Sequence, residues 1–349
     1  MSYKDDVKTF RVKETPVILA IETSCDETAV AVIKGGREIL SDEIISSATQ
    51  HAVYGGVVPE IASRAHTEAI CTATDNAIRA AGITLSDIDA VAVTKGAGLL
   101  GALLVGVSFA KALAFSLDVP LVPVSHIRGH IAAAYLADKE LEPPFICILA
   151  SGGHTAIVNV KNYYDHEILG QTLDDAVGEA FDKVARVLGL SYPGGPNVEK
   201  LAAQGKNDIV FPHMLKNYKG SAYDFSYSGL KTAVINYMHT AEQKGEEINK
   251  ADVAKSFQCA AIDVLIDKAF AAIKETGCKT LAVSGGVGAN GYLREELKKR
   301  CEKEKVKLVL PSKRYCTDNA AMIGAEGYLQ YLKRNFADLT LNAEAVVKL

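Results

Sequence analysis

No Cys-x-x-Cys pair occurs in the 349 residues, and the seven cysteines, from Cys25 to Cys316, are scattered and odd in number. Their placement excludes a disulfide framework and a four-cysteine zinc site. A reduced, cytoplasmic setting fits, with Cys147 reading as a small buried thiol in an apolar run. Neither sign of charge dominates: Lys+Arg is 38 against Asp+Glu 42, a net charge of -4. A basic grip on nucleic acid spread over the whole chain is thereby excluded, which leaves any such partner to a local patch or a second protein. Low-complexity tracts are missing. So is an uninterrupted membrane span: residues 97–117 come nearest, but Lys111 breaks the run, so it reads as a buried core helix and no membrane is expected. Residues 1–16 carry Lys4, Asp5, Asp6, Lys8, Arg11, Lys13 and Glu14, which suits a solvated tail and not a signal peptide.

What is present is globular: 48% hydrophobic and 23% charged residues. At about 150 residues per domain the length predicts two domains. Residues 17–33 read as apolar run, polar turn, apolar run (VILAI, ETSCDET, AVAVI), and residues 145–160 repeat the pattern (FICILA, SGGHT, AIVNV). Each is a hairpin signal. The pair predicts either a duplicated domain with one hairpin opening each half or two unrelated hairpins. Helices are predicted over 66–81, 99–117, 174–188, 252–276, 291–303 and 317–332, with strands at 88–94 and 279–283 and a short strand between Pro120 and Pro123. The Pro- and Gly-rich stretch 191–197 predicts a turn-rich connection, and the charged stretch 242–250 a surface loop or helix end. Alternating helices and apolar strands predict an α/β class.

Five segments could carry chemistry. In Ser125-His126-Ile127-Arg128-Gly129-His130 the two histidines are i and i+4, one face of a helix that Ser125 could cap. The spacing suits two metal ligands or two ordinary histidines, and Ile127 stands where a metallopeptidase motif needs its glutamate. Ala150-Ser151-Gly152-Gly153-His154 is either an anion-cradling Gly loop or a tight hairpin. Residues 281–290 (LAVSGGVGAN) run strand, Gly-rich loop, helix N-terminus, the arrangement that binds nucleotide phosphates, with Asn290 as a helix cap. Glu22–Glu27 (ETSCDE) puts three carboxylates at the first hairpin's tip, fit to position a water, a metal or a nucleophile, or simply solvated. Asp318 opens a helix, favouring the macrodipole, or is a third metal ligand.

Taken in order from Ala20 to Gly324, the segments AIETSCDET, YGGVVPEIASRAH, HIRGH, ASGGH, DDAVGEAFDKVARVLGL, YPGGP, FSYSGLKTA, VSGGVGANGYLR and CTDNAAMIG resemble the bacterial TsaD family of tRNA N6-adenosine threonylcarbamoyltransferases, once described as glycoproteases. The resemblance implies a duplicated actin/Hsp70/sugar-kinase-like (ribonuclease H-like) α/β fold with ligand between two domains. It implies a tail at 1–16, a first domain at 17–125, a second at 126–320, and a C-terminal helical segment at 321–349 packing back on the first. The implied reaction moves a threonylcarbamoyl group from threonylcarbamoyl-AMP to N6 of adenosine 37 in tRNAs that read A-starting codons, with AMP leaving. His126, His130 and Asp318 match the family's ligands for one divalent metal, Fe2+ or Zn2+. Such a metal has open positions and polarises the carbamoyl carbon. Leu149, Ala150, Ser151, Gly152 and Gly153 match its substrate-contacting strand and loop. Asp182, Gly195 and Asn290 match contacts to the adenylate, in a pocket that ATP, ADP or AMP could also occupy; Glu199 falls where relatives often carry Asp. Asp26 and Glu27 match the acidic tip and are the candidates for catalytic base. Arg128, where many relatives carry Glu, adds charge near the site. The implied partners are tRNA, a TsaB paralogue, a TsaE ATPase and TsaC, which makes the adenylate; residues 66–81 or 99–117 would meet a partner chain. Three rivals remain: a small-molecule kinase and a nucleotide-gated binding module, neither needing the histidines, and a metallopeptidase.

Overall fold

The structure, a computed structural model, describes residues 3, 7, 9–212, 215 and 218–347. Lys4, Asp5, Asp6 and Lys8 of the expected tail lie outside the described residues. The chain divides into two compact units, residues 1–141 with 318–349, and residues 142–317.

The first unit is built on five strands: β1 (Val17–Glu22), β2 (Glu27–Lys34), β3 (Glu38–Ser46), β4 (Ala90–Gly96) and β5 (Leu121–Ser125). They lie in the order β3-β2-β1-β4-β5. The meander β1–β3 is antiparallel, and β4 and β5 add in parallel. The predicted first hairpin is β1–β2, paired from Val17↔Lys34 to Glu22↔Ala29. β1 is central and covered on both faces, which is why it reads as an unbroken apolar run. Leu19, Ile21, Val30, Val32, Val91 and Val93 form one core with Ile70, Ala73 and Ala77 of α2 (Pro59–Ala81) and Leu103, Val107, Ala110 and Ala114 of α3 (Leu100–Leu117). A short helix α1 (Ala48–Ala52) precedes α2. The other face is covered by α10 (Ala320–Leu332), which lies against β1, β2, β4 and β5 and against α4 (His126–Ala137).

The second unit repeats the topology. Strands β6 (Phe145–Ala150), β7 (Thr155–Val160), β8 (His166–Gln171), β9 (Thr280–Ser284) and β10 (Lys307–Val309) lie in the order β10-β9-β6-β7-β8. β6–β8 are again an antiparallel meander, with β9 and β10 parallel on its other edge. The helices are α5 (Val177–Leu188), α6 (Gly194–Ala202), α7 (Ser228–Lys244), α8 (Lys250–Thr276) and α9 (Gly291–Glu304). Their core centres on α8, where Phe257 meets Phe181 of α5 edge-on at 5.0 Å. Two unrelated hairpins would not be extended by the same strand order, so the duplicated reading of the sequence holds.

Several local expectations need correction. Residues 1–16 are not a solvated tail throughout: Tyr3 and Val7 are buried in the first core, and the Tyr3 hydroxyl donates to the Val119 carbonyl at 2.9 Å. Residues 97–117 are not a wholly buried helix: α3 starts at Leu100, buries one face, and leaves Leu100, Leu104 and Phe115 exposed. Lys111 on it donates to the Leu341 carbonyl at 3.1 Å, so its charge is used inside the unit. Residues 191–197 are not all connection, because Pro193 takes the N-cap position and α6 begins at Gly194. The boundary expected at 125/126 falls at 141/142, because α4 packs against α10 in the first unit.

Phe257 is fully buried, so Phe257→Ala should destabilise the protein by about 3–5 kcal/mol. A shift in chemical-denaturation midpoint measures this. A change of under about 1 kcal/mol would mean that α8 is not the core element described.

Candidate metal centre and nucleotide loops

β5 ends at Ser125 and α4 starts at His126, so both histidines leave the first two turns of one helix. Their ring centroids lie 4.6 Å apart at 82°. Asp318 Oδ1 is 3.6 Å from His126 Nε2 and 3.1 Å from His130 Nε2. One ligand atom from each residue lies within 4.8 Å of the others. Ligands about 2.1 Å from a tetrahedral zinc sit roughly 3.4 Å apart, so the spacing fits one ion. His130 supplies the decisive test. Both its ring nitrogens are buried and neither makes a hydrogen bond. The Asp318 oxygen stands at ion-pair distance from Nε2 without making a hydrogen bond to it. A buried pair of nitrogens left so is costly unless an ion takes the lone pair. Two imidazoles and a carboxylate suit Zn2+ or Fe2+.

Two capping roles are corrected. Ser125 Oγ is buried without a partner and does not cap α4. Asp318 does not open α10, since Asn319 is the N-cap and its side chain accepts from the Met322 N–H at 2.9 Å. Asn319 therefore leaves the Asp318 carboxylate to the histidines. Arg128, between the two ligands, directs its charge to α10: its Nε donates to buried Glu326 Oε1 at 2.8 Å.

Behind His126 stands Glu22, which the motif reading left without an assigned role. Glu22 is fully buried at the end of β1, and its Oε2 is 3.0 Å from His126 Nδ1 and accepts from Thr94 Oγ1 at 2.7 Å. Its Oε1 accepts from the Ser24 N–H. A carboxylate on Nδ1 makes Nε2 the nitrogen that faces the ion and raises its basicity. Burial opposes the Glu22 charge, but His126 and Thr94 outweigh it and hold the group below its ordinary value. Burial likewise opposes the His126 cation, yet Asp318 and Glu22 push the imidazole up to about 9. The signal in the sequence was a glutamate closing an apolar buried strand, where a charge demands a partner.

Asp26 is buried and Glu27 half-buried at the tip between β1 and β2. Burial, then the Asp26 and Asp318 charges, push Glu27 up to about 9, and it shares a hydrogen bond with Asp26. Burial raises the Cys25 thiol far above its usual range. Four carboxyls thus gather around two imidazoles, and a divalent cation there would favour the ionised form of each.

The second unit collects the remaining candidates. Asp182 on α5 accepts from the Gly194 N–H at 2.7 Å and also from the Gly195 N–H. Glu199 on α6 accepts from the Gly291 N–H, the first residue of α9, at 2.8 Å. Asn290 caps that helix through the Leu293 N–H and donates to Gln258 Oε1 at 3.0 Å. The termini of α6 and α9 are thereby tied together with Asp182, Gly195, Glu199 and Asn290. Gly285, at φ +91°, lies against the Ala150 carbonyl, where a Cβ would come within 2.3 Å. That approach places the two Gly-rich loops side by side. Beside Gly152, Gly153 and Gly195 a Cβ would meet nothing within 4 Å, so there is open space next to each. Leu149 and Ala150 are buried in β6, so their side chains belong to the core.

Glu22→Gln should weaken zinc binding roughly 10–100-fold, measured by competition with a chromophoric chelator; unchanged affinity would remove Glu22 from the centre. In the chelated protein Glu27 and His126 both bind protons more tightly than when unfolded. Their stabilisation is complete below about pH 4.5 for Glu27 and 6.5 for His126, and is lost as pH rises toward 9. The melting midpoint of chelated protein should therefore fall from pH 6.5 to 9, and less steeply in Glu27→Gln. Parallel profiles for the two proteins would refute the buried, protonated Glu27.

A family model described as "TsaD: tRNA N6-adenosine threonylcarbamoyltransferase" matches residues 38–325. Curated relatives with that name include one from Clostridium perfringens, 53% identical over 334 residues (95% of this chain, 98% of the relative). Another, from Clostridium botulinum strain Kyoto, is 50% identical over 339 residues (97% and 99%). A third, from Staphylococcus saprophyticus, is 53% identical over 331 residues (95% and 96%). Among solved structures, HypF of T. kodakarensis matches with a TM-score of 0.63 at 17% identity, over 95% of this chain and 50% of that one. Component A of the (R)-2-hydroxyglutaryl-CoA dehydratase of Acidaminococcus fermentans matches with a TM-score of 0.52 at 14% identity (92% and 99%). These structural neighbours share the fold alone, the duplicated actin-like α/β architecture. Sequence identity over nearly the whole length carries more: the chain belongs to the TsaD family of tRNA N6-adenosine threonylcarbamoyltransferases.

Proposed function

We propose that this chain forms N6-threonylcarbamoyladenosine at position 37 of tRNAs reading A-starting codons, with threonylcarbamoyl-AMP as donor and AMP as leaving group. The observation that carries the reading is family membership over nearly the full length together with the converging His126, His130 and Asp318. A Zn2+ or Fe2+ held by these three would supply Lewis acidity toward the carbamoyl oxygen.

The chain's own residues do the rest. Glu22 fixes the tautomer and direction of His126. The adenosine N6 forms a bond to the carbamoyl carbon as the bond from that carbon to the phosphate oxygen breaks, and AMP leaves with the electron pair. The N6 proton passes to a carboxylate of the Asp26/Glu27 pair. The Ser151 N–H is held by the His154 carbonyl at 2.8 Å, so the backbone N–H groups of Gly152 and Gly153 receive the phosphate, whose negative charge grows as AMP departs. Glu199 has one oxygen on a backbone N–H, and the other can accept from a ribose hydroxyl; Asp182, which holds the Gly194 and Gly195 N–H groups, fixes the start of α6, and Gly195 and Asn290 complete the adenylate contacts.

A net charge of -4 leaves the tRNA phosphates to a local patch or to partner chains. The partners we propose are a TsaB paralogue and a TsaE ATPase, with TsaC supplying the adenylate, in the cytoplasm. The exposed Leu100, Leu104 and Phe115 of α3 support a partner contact there.

Nucleoside analysis of tRNA tests the reading. Adding this chain to a reconstitution lacking only it, with partners from the same organism, should produce threonylcarbamoyladenosine. His126→Ala should reduce the product below about 1% of wild type, the effect of losing a Lewis acid worth several kcal/mol. No product from the wild type would refute the function. Glu27→Gln and Asp26→Asn are assayed with preformed adenylate, and wild-type turnover in both would remove the carboxyls from the mechanism.

A further inference from the structure

The acidic tip is held by more than its strands. Three consecutive carbonyls there each meet a donor from outside the hairpin's own ladder. The Ser24 carbonyl accepts from the Leu99 N–H at 2.8 Å. The Cys25 carbonyl accepts from His66 Nε2 at 2.9 Å. The Asp26 carbonyl accepts from both the N–H and the hydroxyl of Ser47, at 2.9 and 2.8 Å. Behind Ser47 stands His51, whose Nε2 is 3.1 Å from Ser47 Oγ and whose Nδ1 accepts from the Val58 N–H at 3.2 Å.

These partners dictate the chemistry of both rings. The Ser47 proton is committed to Asp26, so His51 must donate from Nε2 and accept at Nδ1. His66 must donate to a carbonyl from Nε2, and its Nδ1 shares a hydrogen bond with the Thr28 hydroxyl at 2.7 Å. The Val58 N–H on Nδ1 makes His51 neutral, with one nitrogen donating and the other accepting. Both rings are fully buried, and burial holds His66 below its ordinary value. The motif YGGVVPEIASRAH, which carries Val58 and His66, has no part in the metal or nucleotide contacts described above.

We propose that His51 and His66 are positioning residues for the transfer reaction: as neutral donors, His66 directly and His51 through Ser47, they hold the Cys25 and Asp26 carbonyls and so aim the Asp26 and Glu27 carboxyls. The proposal rests on the reading of those carboxyls as proton acceptors. It also ties the loop ending at Val58, whose Tyr54 is exposed, to the tip through a single ring.

The test uses the full chain with its partners and preformed adenylate. His66→Phe leaves the Cys25 carbonyl without its donor; kcat should fall roughly 10–100-fold. KM for tRNA and zinc affinity should stay within about twofold. His66→Gln places an amide N–H where Nε2 was and should recover most of the rate. Should His66→Phe fail to fold, Ser47→Ala, which removes one of the two donors to Asp26, gives the same readout. Wild-type kcat in the variants that lack a donor, or a His66→Gln rate no better than that of His66→Phe, overturns the proposal. Amide exchange of residues 24–27 is read in every variant, with Glu27→Gln and Asp26→Asn alongside. If the carboxyl variants keep full turnover, the proton-acceptor reading has failed. Faster exchange at the tip in His66→Phe, reversed in His66→Gln, then still supports positioning, and unchanged exchange overturns it.

Discussion

A buried surplus of negative charge is the constraint on which the first unit depends. Glu22, Asp26, Glu27 and Asp318 sit close together around the imidazoles of His126 and His130. Burial, with the Asp26 and Asp318 charges, pushes Glu27 up to about 9, and Asp318 and Glu22 push His126 up to about 9 against its burial. A divalent ion would offset the negative charge and release the protons. The orphaned nitrogens of His130 and the orientation of His126 by Glu22 follow from that demand. So does the placement of Asn319, which caps α10 and spares Asp318.

The fold supplies the rigidity such a cluster needs. β1 is central in its sheet, so Glu22 at its end has little freedom to move away from its neighbours. Gly98, at φ +154°, lets its loop pass so close that a Cβ would stand 2.6 Å from the Ser24 carbonyl. Leu99 follows and donates to that carbonyl. The second unit repeats the strand order with a different emphasis. Its corresponding hairpin tip carries Ser151, Gly152 and Gly153 in place of carboxylates. One topology thus supports an acidic tip and a glycine-rich one, and the difference lies in a handful of residues.

Much of this was legible in the chain. The paired hairpins were visible because a central strand must be apolar on both faces, and they offered a duplication as one of two readings. The spacing of His126 and His130 put them on one helical face, and the resemblance named Asp318 as their companion. Glu22 was visible as a residue but not as a partner: three carboxylates within six residues look alike until burial separates the one under the histidine from the two at the tip. Asp318 read as a helix-opening residue because a one-residue shift in the start of α10, from Asp318 to Asn319, is below what local propensity resolves. The buried positions of Tyr3 and Val7 were hidden by the charges around them.

By itself the sequence determined the α/β class and the family, since these rest on periodicity and on long motifs that survive without coordinates, while the two-fold repeat was settled by the matching strand orders. It also determined which atoms were available for a metal. Only the tertiary structure decided which imidazole nitrogen faces that metal, where Arg128 sends its charge, and that 126–141 and 318–349 belong to one unit. The physical reason is the same in each case: a hydrogen bond or ion pair depends on distance and direction between residues far apart in the chain, from Glu22 to His126, from Arg128 to Glu326 and from His130 to Asp318. No local pattern in a sequence encodes either quantity.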